Sequence, residues 1–526
     1  MKETDNLLSP IGKKVKGRIQ SSLSGFLRAF VVGLLVIFQF IFIIILPFAF
    51  AQYTVYFYVI LVVLSLIIII MLVNDSRSPS YIISWICIVL ALPLSGHIMF
   101  ALWGKADSKR KIEQKILLRL NHGATFYSYN KDVAKQFKEK YPNKARMSRY
   151  METEKFPLFK NNKMQYFNTA EDAFEDIFDG LSKAKRFILF NFFIVGEGAI
   201  WDHMHDILLD RIKNGVKVMF MYDDFGAMLR TPKGFKRRLE SEGFEVRVFN
   251  PVHKYTEKLY MNYRSHQKIV VIDGNIGYTG GFNIADEYAN LIDRFGKWKD
   301  NGIKVIGDAV WGLTVTFLQM WEVCSMTNPI DYNPYRPDQE FEENDAFCHV
   351  ISDGPANNPN NPIENVYMQM IQQATDYVYI ATPYLVIENY MKQALITAAK
   401  SGIDVRIITP FIPDKKNVKC LTNYNYGALL REGVRIYEYT PGFIHSKMIM
   451  NEDCGIVGTI NMDYRSFYLH YECGLWMADA ATIQSMRDDF DSTFKECHEF
   501  TYEEWKNRPL SLKLYQSVLN MFSTLM

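Results

Sequence analysis

The chain carries one short pattern twice, and this duplication constrains its fold more than any other feature of the sequence. Each copy has a His-x-Lys triplet, an acidic residue a few positions later, and an Asn after a Gly-containing turn. The residues are His266, Lys268, Asp273 and Asn283 in the first copy and His445, Lys447, Glu452 and Asn461 in the second. The two histidines stand 179 positions apart, as do the two lysines. Matched spacing predicts two homologous halves that meet in one active site.

These residue types suit chemistry at a phosphodiester. A neutral imidazole can attack phosphorus, an ammonium can hold a non-bridging oxygen, and an Asn amide can donate a further hydrogen bond. In His-x-Lys the side chains sit at i and i+2, so a β-strand projects both from one face. Apolar runs at 269–272 and 448–450 follow, as in buried strands. We also expect the glycines to let backbone pass close to the phosphate.

The rest of the repeat predicts the fold class. Residues 187–194 parallel 377–384, and each run continues through a helix-like stretch and a second strand to its motif strand. This order predicts an α/β protein with two homologous halves, 161–330 and 345–526, in which helices cover both faces of a layered sheet. A transmembrane helical region is expected to precede them.

The amino-terminal fifth has a different character. A basic tail of cytoplasmic type, 1–28, comes first. Three uncharged apolar runs follow, at 29–51, 53–73 and 81–103. Each exceeds 20 residues, which is about the length that a helix needs to cross a bilayer. A basic linker, 104–160, connects them to the first half. We interpret the runs as membrane anchors and not as a cleaved signal.

The topology of these runs stays open. Basic residues flank the whole region on both sides, and the positive-inside tendency would place both flanks in the cytoplasm. Three full spans forbid that arrangement. Either one run does not cross, with the third run the first suspect because Pro93, Gly96 and His97 interrupt it, or one basic cluster lies outside.

Charge and cysteine content exclude other classes. A net charge of +2 gives no general case for a nucleic-acid partner. The seven cysteines include no Cys-x-x-Cys pair, which argues against a disulfide framework or a zinc site. The segment 202–206 contains Asp and His, but residues at i and i+2 do not share a helix face, so we interpret it as a polar helix start. We therefore expect no metal and no other cofactor.

The duplicated motif resembles that of the phospholipase D superfamily over about residues 160–526. The flanking sequences resemble bacterial cardiolipin synthases more closely. The similar segments are 262–266 and 280–288 around the first motif, 461–467 after the second, and 382–385 at a strand end of the second half.

The resemblance implies roles for the residues of both copies. It assigns catalysis to His266, Lys268, Asp273, His445, Lys447 and Glu452, binding of the substrate phosphate to Asn283 and Asn461, and orientation of the histidines to Asp300 and Glu472. An acidic partner of this kind fixes the tautomer of a histidine and stabilises its imidazolium form. The two acids are placed alike in the two halves, at the start of the strand after each Asn.

The second copy departs from the family pattern at one position. Glu452 stands where the family has Asp, and Asp453 follows it. The acidic residue is thought to brace the structure more than to touch phosphate, so either residue can serve. His445, Lys447 and Asn461 are intact, which favours retained activity.

The expected activity is metal-free transfer of a phosphatidyl group between two phosphatidylglycerol molecules. It gives cardiolipin and glycerol through a phosphatidyl-histidine, with His266 as nucleophile by analogy with relatives. Alternatives are a membrane-bound phospholipase D-type hydrolase, another phosphatidyltransferase, or an inactive lipid-binding protein. A related nuclease would need a basic groove and no spans. The expected partners are phosphatidylglycerol and membrane lipid, in a multi-pass protein of the bacterial cell membrane. The sequence does not decide the oligomeric state.

Overall fold

A computed structural model describes residues 53–104, 110–228, 230–251, 263–325, 329–357 and 360–525, together with Leu34, Ile37, Gln39 and Ile41. The predicted basic tail and nearly all of the first apolar run lie outside these described residues. The chain divides into two compact units. The larger unit comprises 1–17 and 112–509, and the smaller comprises 18–111 and 510–526. The second predicted half, 345–526, is thus divided between the units.

The smaller unit is helical in its described residues. It contains α1 (Thr54–Val73), α2 (Pro79–Ala91), α3 (Ser95–Met99), a π-helix (Phe100–Gly104), a helix over Leu510–Asn520 and a 3₁₀ turn over Ser523–Leu525. The hydroxyl of Ser84 in α2 donates to the Met521 carbonyl at 2.7 Å, so the C-terminal segment packs on α2. This unit is therefore built from both ends of the chain.

One described helix has the length and composition to cross a membrane. It is α1, with 20 residues and mostly exposed apolar side chains. The apolar run at 81–103 does not form one long helix, because α2 ends at Ala91, just before Pro93. Proline has no N–H to continue the ladder and its ring clashes with the preceding turn. The structure thus shows one candidate span among the described residues and not the predicted multi-helix region.

The helices of the larger unit follow in chain order. They are α4 (Arg110–Ala124), α5 (Lys131–Lys140), α6 (Ala145–Thr153), α7 (Ala170–Ser182), α8 (Ala199–Lys213), α9 (Asp224–Ala227), α10 (Phe235–Ser241), α11 (Val310–Ser325), α12 (Pro362–Gln372), α13 (Asn389–Lys400), α14 (Lys416–Arg431), α15 (Tyr464–Tyr468), α16 (Ala480–Phe494) and α17 (Tyr502–Lys506). Single 3₁₀ turns cover Asp286–Ala289, Asn333–Tyr335 and Pro355–Asn357.

The strands all lie in the same unit. Those of the first half are β1 (Leu158–Phe159), β2 (Asn162–Phe167), β3 (Phe187–Phe192), β4 (Lys217–Asp223), β5 (Glu245–Phe249), β6 (Arg264–Ser265), β7 (Ile269–Ile272), β8 (Ile276–Gly280), β9 (Lys297–Lys299) and β10 (Gly302–Gly307). Those of the second half are β11 (Phe347–Asp353), β12 (Tyr377–Ala381), β13 (Leu385–Val386), β14 (Asp404–Pro410), β15 (Arg435–Tyr439), β16 (Gly442–Ile444), β17 (Met448–Met450), β18 (Gly455–Gly458), β19 (Met462–Asp463), β20 (His470–Ala478) and β21 (Cys497–Phe500).

Two mixed sheets repeat one topology. The first sheet has the order β2-β10-β8-β7-β3-β4-β5, and the second contains the matching run β20-β18-β17-β12-β14-β15. In the first sheet β3 pairs in parallel with β4 and antiparallel with the motif strand β7. In the second sheet β12 pairs in parallel with β14 and antiparallel with the motif strand β17. The prediction of an α/β fold is confirmed. The second sheet also recruits β1 and β11 at one edge and β21 at the other.

The cores lie on the two faces of these sheets. Along β3, Phe187 and Leu189 face one core, whereas Ile188 and Phe190 face the other. The first core is shared with α11 and with the second sheet, and the second core is covered by α7 and α8. Since successive side chains of a strand point to opposite faces, near-continuous apolar strands are the expected outcome here.

Short strand pairs join the halves beside the two motifs. β9 pairs in parallel with β16, and β6 pairs in parallel with β20. The amide of His266 donates to the Tyr471 carbonyl at 2.9 Å, and the amide of His445 donates to the Lys299 carbonyl at 2.7 Å. Each motif histidine is therefore held by backbone of the other half.

Candidate active site

The motif side chains are brought together in the interior of the larger unit. His266, Lys268, His445 and Lys447 are all at least nine-tenths buried. Lys268 Nζ donates to the His266 carbonyl at 2.6 Å, and Lys447 makes the same bond to the His445 carbonyl. Each lysine thus folds back on its own triplet, which fixes the ammonium next to the imidazole.

Each histidine takes its acidic partner from the other half. The Nδ1 atom of His266 lies 2.9 Å from Glu472 Oε1, and that of His445 lies 2.6 Å from Asp300 Oδ2. A carboxylate only accepts hydrogen bonds, so these pairings favour the proton on Nδ1 of each ring. Lys447 Nζ also lies 2.9 Å from the His445 Nδ1, but the carboxylate contact is shorter. The unprotonated Nε2 of each neutral ring is then the atom available for attack or proton transfer.

Burial and the neighbouring ammoniums set the protonation of the site. Both effects hold the pKa of His266 and of His445 well below the usual value for imidazole. Burial lowers the pKa of Lys268 to about 7 and that of Lys447 to about 8, and it raises the pKa of Asp300 to about 6. The site therefore favours neutral imidazoles and gains from an anion that compensates the lysines.

The two motif asparagines are buried, but they differ in their bonds. Asn283 Oδ1 accepts from the Ile194 amide at 3.0 Å, and its Nδ2 donates to the Tyr288 hydroxyl at 2.8 Å. Asn461 Oδ1 has no hydrogen-bond partner among the described residues. Binding of phosphate by the two amides remains a prediction.

Gly281 of the first motif turn is required for a reason other than the expected approach of backbone to phosphate. A Cβ on Gly281 would lie 2.0 Å from Asp300 Oδ1 and 3.0 Å from the His445 carbonyl. The turn therefore needs glycine so that Asp300 can reach His445. At the matching position of the second turn, Thr459 uses its hydroxyl to donate to Glu472.

The acidic residues after the motif lysines brace the sheets and do not contact the histidines. The Asp273 carboxylate accepts from the amides of Lys185, Arg186 and Phe187 at 2.7–2.9 Å, where β3 begins. Glu452 Oε1 accepts from the Thr375 amide at 3.2 Å, just before β12, and pairs with Lys144 at 3.1 Å. The two carboxylates thus occupy equivalent places.

The acidic neighbour of Glu452 is less well placed for this role. Asp453 Oδ2 lies 3.5 Å from Lys144 Nζ, and its side chain is 41% exposed against 15% for Glu452. The contacts favour Glu452 as the brace.

Replacing Glu452 is therefore expected to affect stability before chemistry. Glu452→Ala removes a partner of the buried Lys144 ammonium and of the Thr375 amide, so we expect a loss of about 1–3 kcal/mol in the free energy of unfolding. Glu452→Asp should retain most of this free energy, because it keeps the carboxylate. The measurement is the thermal unfolding midpoint in detergent, with activity per folded molecule. Asp453→Ala is the matched control, and a larger drop in its midpoint than in that of Glu452→Ala would contradict the assignment.

Sequence reasoning missed several residues that contact this machinery. Ser466 donates to Glu472 Oε1 at 2.8 Å, and His470 lies beside the same carboxylate. Phe193 and Tyr288 place their rings 5.2 and 5.4 Å from His266 and His445 respectively. Thr459 stands inside the repeated motif, and Tyr288 and Ser466 lie in the flanking segments 280–288 and 461–467, so these three carried a signal in the sequence.

One group of described side chains has the spacing of a metal site. Donor atoms of His266, His470 and Glu472 lie within 4.8 Å of one another. His266 and Glu472 are already hydrogen-bonded to each other, and buried ammoniums nearby oppose a dication. We interpret the group as an orientation network. The segment 202–206 lies within α8, where His205 pairs with Glu242 at 2.7 Å.

Comparison with known proteins agrees with this geometry. The family model described as "Cardiolipin synthase, PLD-like domain" matches residues 177–293 and 367–494. An uncharacterized protein of Streptococcus mutans is 37% identical over 86% of this chain and 98% of its own. Cardiolipin synthase 1 of Staphylococcus aureus is 31% identical over 86% of this chain and 93% of its own. A Geobacillus cardiolipin synthase is also 31% identical, over 86% and 90%.

A solved structure shows the same fold at low sequence identity. The phosphatidylserine synthase of Haemophilus influenzae superposes with a TM-score of 0.54 at 13% identity, over 69% of this chain and 93% of that one. A duplicated mixed sheet with two facing His-x-Lys motifs places the chain in the phospholipase D superfamily. Within that superfamily, whose synthases are phospholipid transferases, the chain belongs to the cardiolipin synthase family.

Proposed function

We propose that this protein is a cardiolipin synthase that joins two phosphatidylglycerol molecules and releases glycerol. The observation that carries the proposal is the reciprocal pairing of His266 with Glu472 and of His445 with Asp300. It gives two oriented imidazoles, each with a free Nε2, in one buried site. Two such groups are what a double displacement at phosphorus requires.

In the first step His266 Nε2 attacks the phosphorus of one phosphatidylglycerol. The bond from phosphorus to the glycerol oxygen breaks, and the Nε2 proton of protonated His445 passes to that oxygen. A phosphatidyl-histidine and free glycerol result. Glu472 stabilises the positive charge that develops on the His266 ring.

The second step reverses the roles of the same atoms. His445 Nε2 takes the proton from a hydroxyl of a second phosphatidylglycerol while the hydroxyl oxygen bonds to phosphorus. The bond from phosphorus to His266 Nε2 then breaks and cardiolipin leaves. At the end of the cycle His445 holds the proton that it took from the acceptor hydroxyl, as it must at the start of the first step when the next phosphodiester is bound.

The two lysines supply the electrostatic part of this mechanism. Lys268 and Lys447 are buried beside the histidines and need an anion to hold their charge. A phosphodiester brings one negative charge, which raises the pKa of the lysines and of His445 when it binds. The ammoniums, with Asn283 and Asn461, then stabilise the oxygens of the five-coordinate states.

The lipid substrates require attachment to a membrane, and we propose a multi-pass protein of the bacterial cell membrane. The support is α1, which has the length and exposed apolar surface of a span, together with the apolar runs on either side of it. Phosphatidylglycerol is then both donor and acceptor in the same bilayer. We keep the two halves, 161–330 and 345–526, as the proposed repeats.

The test is lipid analysis by thin-layer chromatography after expression in bacterial cells that lack cardiolipin. We expect new cardiolipin with the wild-type chain and none with the His266→Ala/His445→Ala double variant. Purified protein with phosphatidylglycerol vesicles should give cardiolipin and glycerol at the same rate with and without a strong chelator. Phosphatidic acid as the product would indicate a hydrolase, and an unchanged lipid pattern would indicate a lipid-binding protein.

A further inference from the structure

The two half-sites differ at three matched positions, and all three surround the orienting carboxylates. Two positions match when they stand at the same distance from the motif Asn, or from the orienting acid, of their own half. The pairs, second half against first, are Thr459 and Gly281, Ser466 and Tyr288, and His470 and Trp298. The duplicated site is thus symmetric in its histidines and lysines but asymmetric in the side chains that surround its two orienting carboxylates.

Glu472 carries more side-chain donors than its counterpart. It accepts from the hydroxyls of Thr459 and Ser466 as well as from His266. Asp300 accepts from His445, from the Asn301 amide at 3.0 Å, and from the Trp298 indole at 3.4 Å. Each carboxylate accepts three hydrogen bonds, so any further N–H group beside Glu472 leaves less of its negative charge to stabilise a protonated His266.

His470 is a further donor directed at this carboxylate. Its Nε2 faces the Arg465 guanidinium at 3.4 Å, and arginine can only donate, so the neutral ring must carry its proton on Nδ1. That Nδ1 lies 3.7 Å from Glu472 Oε1, beyond hydrogen-bond distance, and has no hydrogen-bond partner among the described residues, so its N–H acts on the carboxylate by its dipole alone. The ring is buried, and its centroid lies 5.5 Å from that of His266.

We propose that His470 is a positioning residue that, through Glu472, keeps His266 unprotonated and so makes it the nucleophile, leaving His445 to carry the proton. His470 itself touches no reacting atom. Lys268, Lys447 and Lys415 lower the pKa of both histidines, whereas Asp414 raises the pKa of His445 and so adds to the difference. Arg465 acts on His470 from α15. This inference rests on the proposed function.

The test is the pH dependence of the initial rate of cardiolipin formation by the purified chain in phosphatidylglycerol vesicles. His470→Phe keeps an aromatic ring but removes the N–H donor, which leaves more of Glu472 for protonated His266. The pKa of His266 should rise, so the acid limb of the profile should move to higher pH by about half a unit or more. His470→Asn retains a donor and should return the acid limb close to its wild-type position.

Trp298→Phe is the matched control, since it removes the corresponding donor from Asp300 and should leave the acid limb in place. An acid limb that does not move in His470→Phe, or a basic limb that moves instead, would overturn the proposal. A lower rate at every pH without a shift would show a purely structural role and would also overturn it. Failure of the wild-type chain to form cardiolipin would instead refute the proposed function. If His470→Phe does not fold, His470→Leu provides the same readout.

Discussion

Cardiolipin formation is expected to fall by at least a thousandfold when either His266 or His445 is replaced by Ala. Loss of the nucleophile removes the covalent step, and loss of the proton-transfer group removes both the acid and the base of the two displacements. Because the two residues act as a unit, the double variant should be little worse than either single variant. The measurement is the initial rate in phosphatidylglycerol vesicles.

The matched control is His498→Ala, which removes an exposed histidine paired with Glu504. It should behave like the wild type. Expression and membrane attachment should be equal in the wild type and all four variants, which separates lost chemistry from lost folding. A single motif variant that kept more than about a tenth of the activity would refute the two-histidine mechanism.

The second large effect concerns Asp300 and Glu472, the acids that each half provides for the histidine of the other half. Asp300→Asn and Glu472→Gln keep the size of each side chain but remove its charge and introduce N–H donors. The paired imidazole can then adopt the wrong tautomer, and its protonated form loses its counter-charge, so we expect a loss of about a hundredfold or more in kcat. KM should change less, since neither acid is expected to touch the lipid.

This prediction has an internal comparison. Glu472→Gln should mainly impair formation of the phosphatidyl-enzyme on His266, whereas Asp300→Asn should impair proton transfer by His445. Single-turnover experiments that follow glycerol release and cardiolipin formation separate the two. Asp453→Asn, which neutralises a partly exposed acid in the turn after β17, is the control. Wild-type rates in either acid variant would show that the carboxylates do not orient the histidines.

Much of this site could be predicted from the sequence because its determinants are local and repeated. The i, i+2 spacing of His266 and Lys268 places both on one strand face, and the apolar residues after them identify the buried strand. The family resemblance pointed to Asp300 and Glu472, and their matched position in the two halves supported both. These features need no knowledge of tertiary structure.

The sequence could not show which acid serves which histidine. That assignment depends on the strand pairs β6–β20 and β9–β16, which join residues 206 and 145 positions apart respectively. The partner of Glu452 was hidden for the same reason, since Lys144 comes from a helix that precedes both halves. Pro93 indicated an interruption in the third apolar run, but the sequence alone did not show that the helix ends at Ala91.

The smaller unit combines residues 18–111 with residues 510–526, and this decides where the protein can be truncated. The Leu510–Asn520 helix leaves Leu510, Leu514 and Val518 largely exposed, and Met521 and Thr524, which follow it, bond to Ser84. A fragment that omits only the apolar amino-terminal residues would keep this exposed apolar stripe but lose the segment on which the carboxy-terminal residues pack. A water-soluble catalytic fragment therefore needs two cuts, one near residue 110 and one near 509. Trimming one end alone is expected to yield an aggregating product.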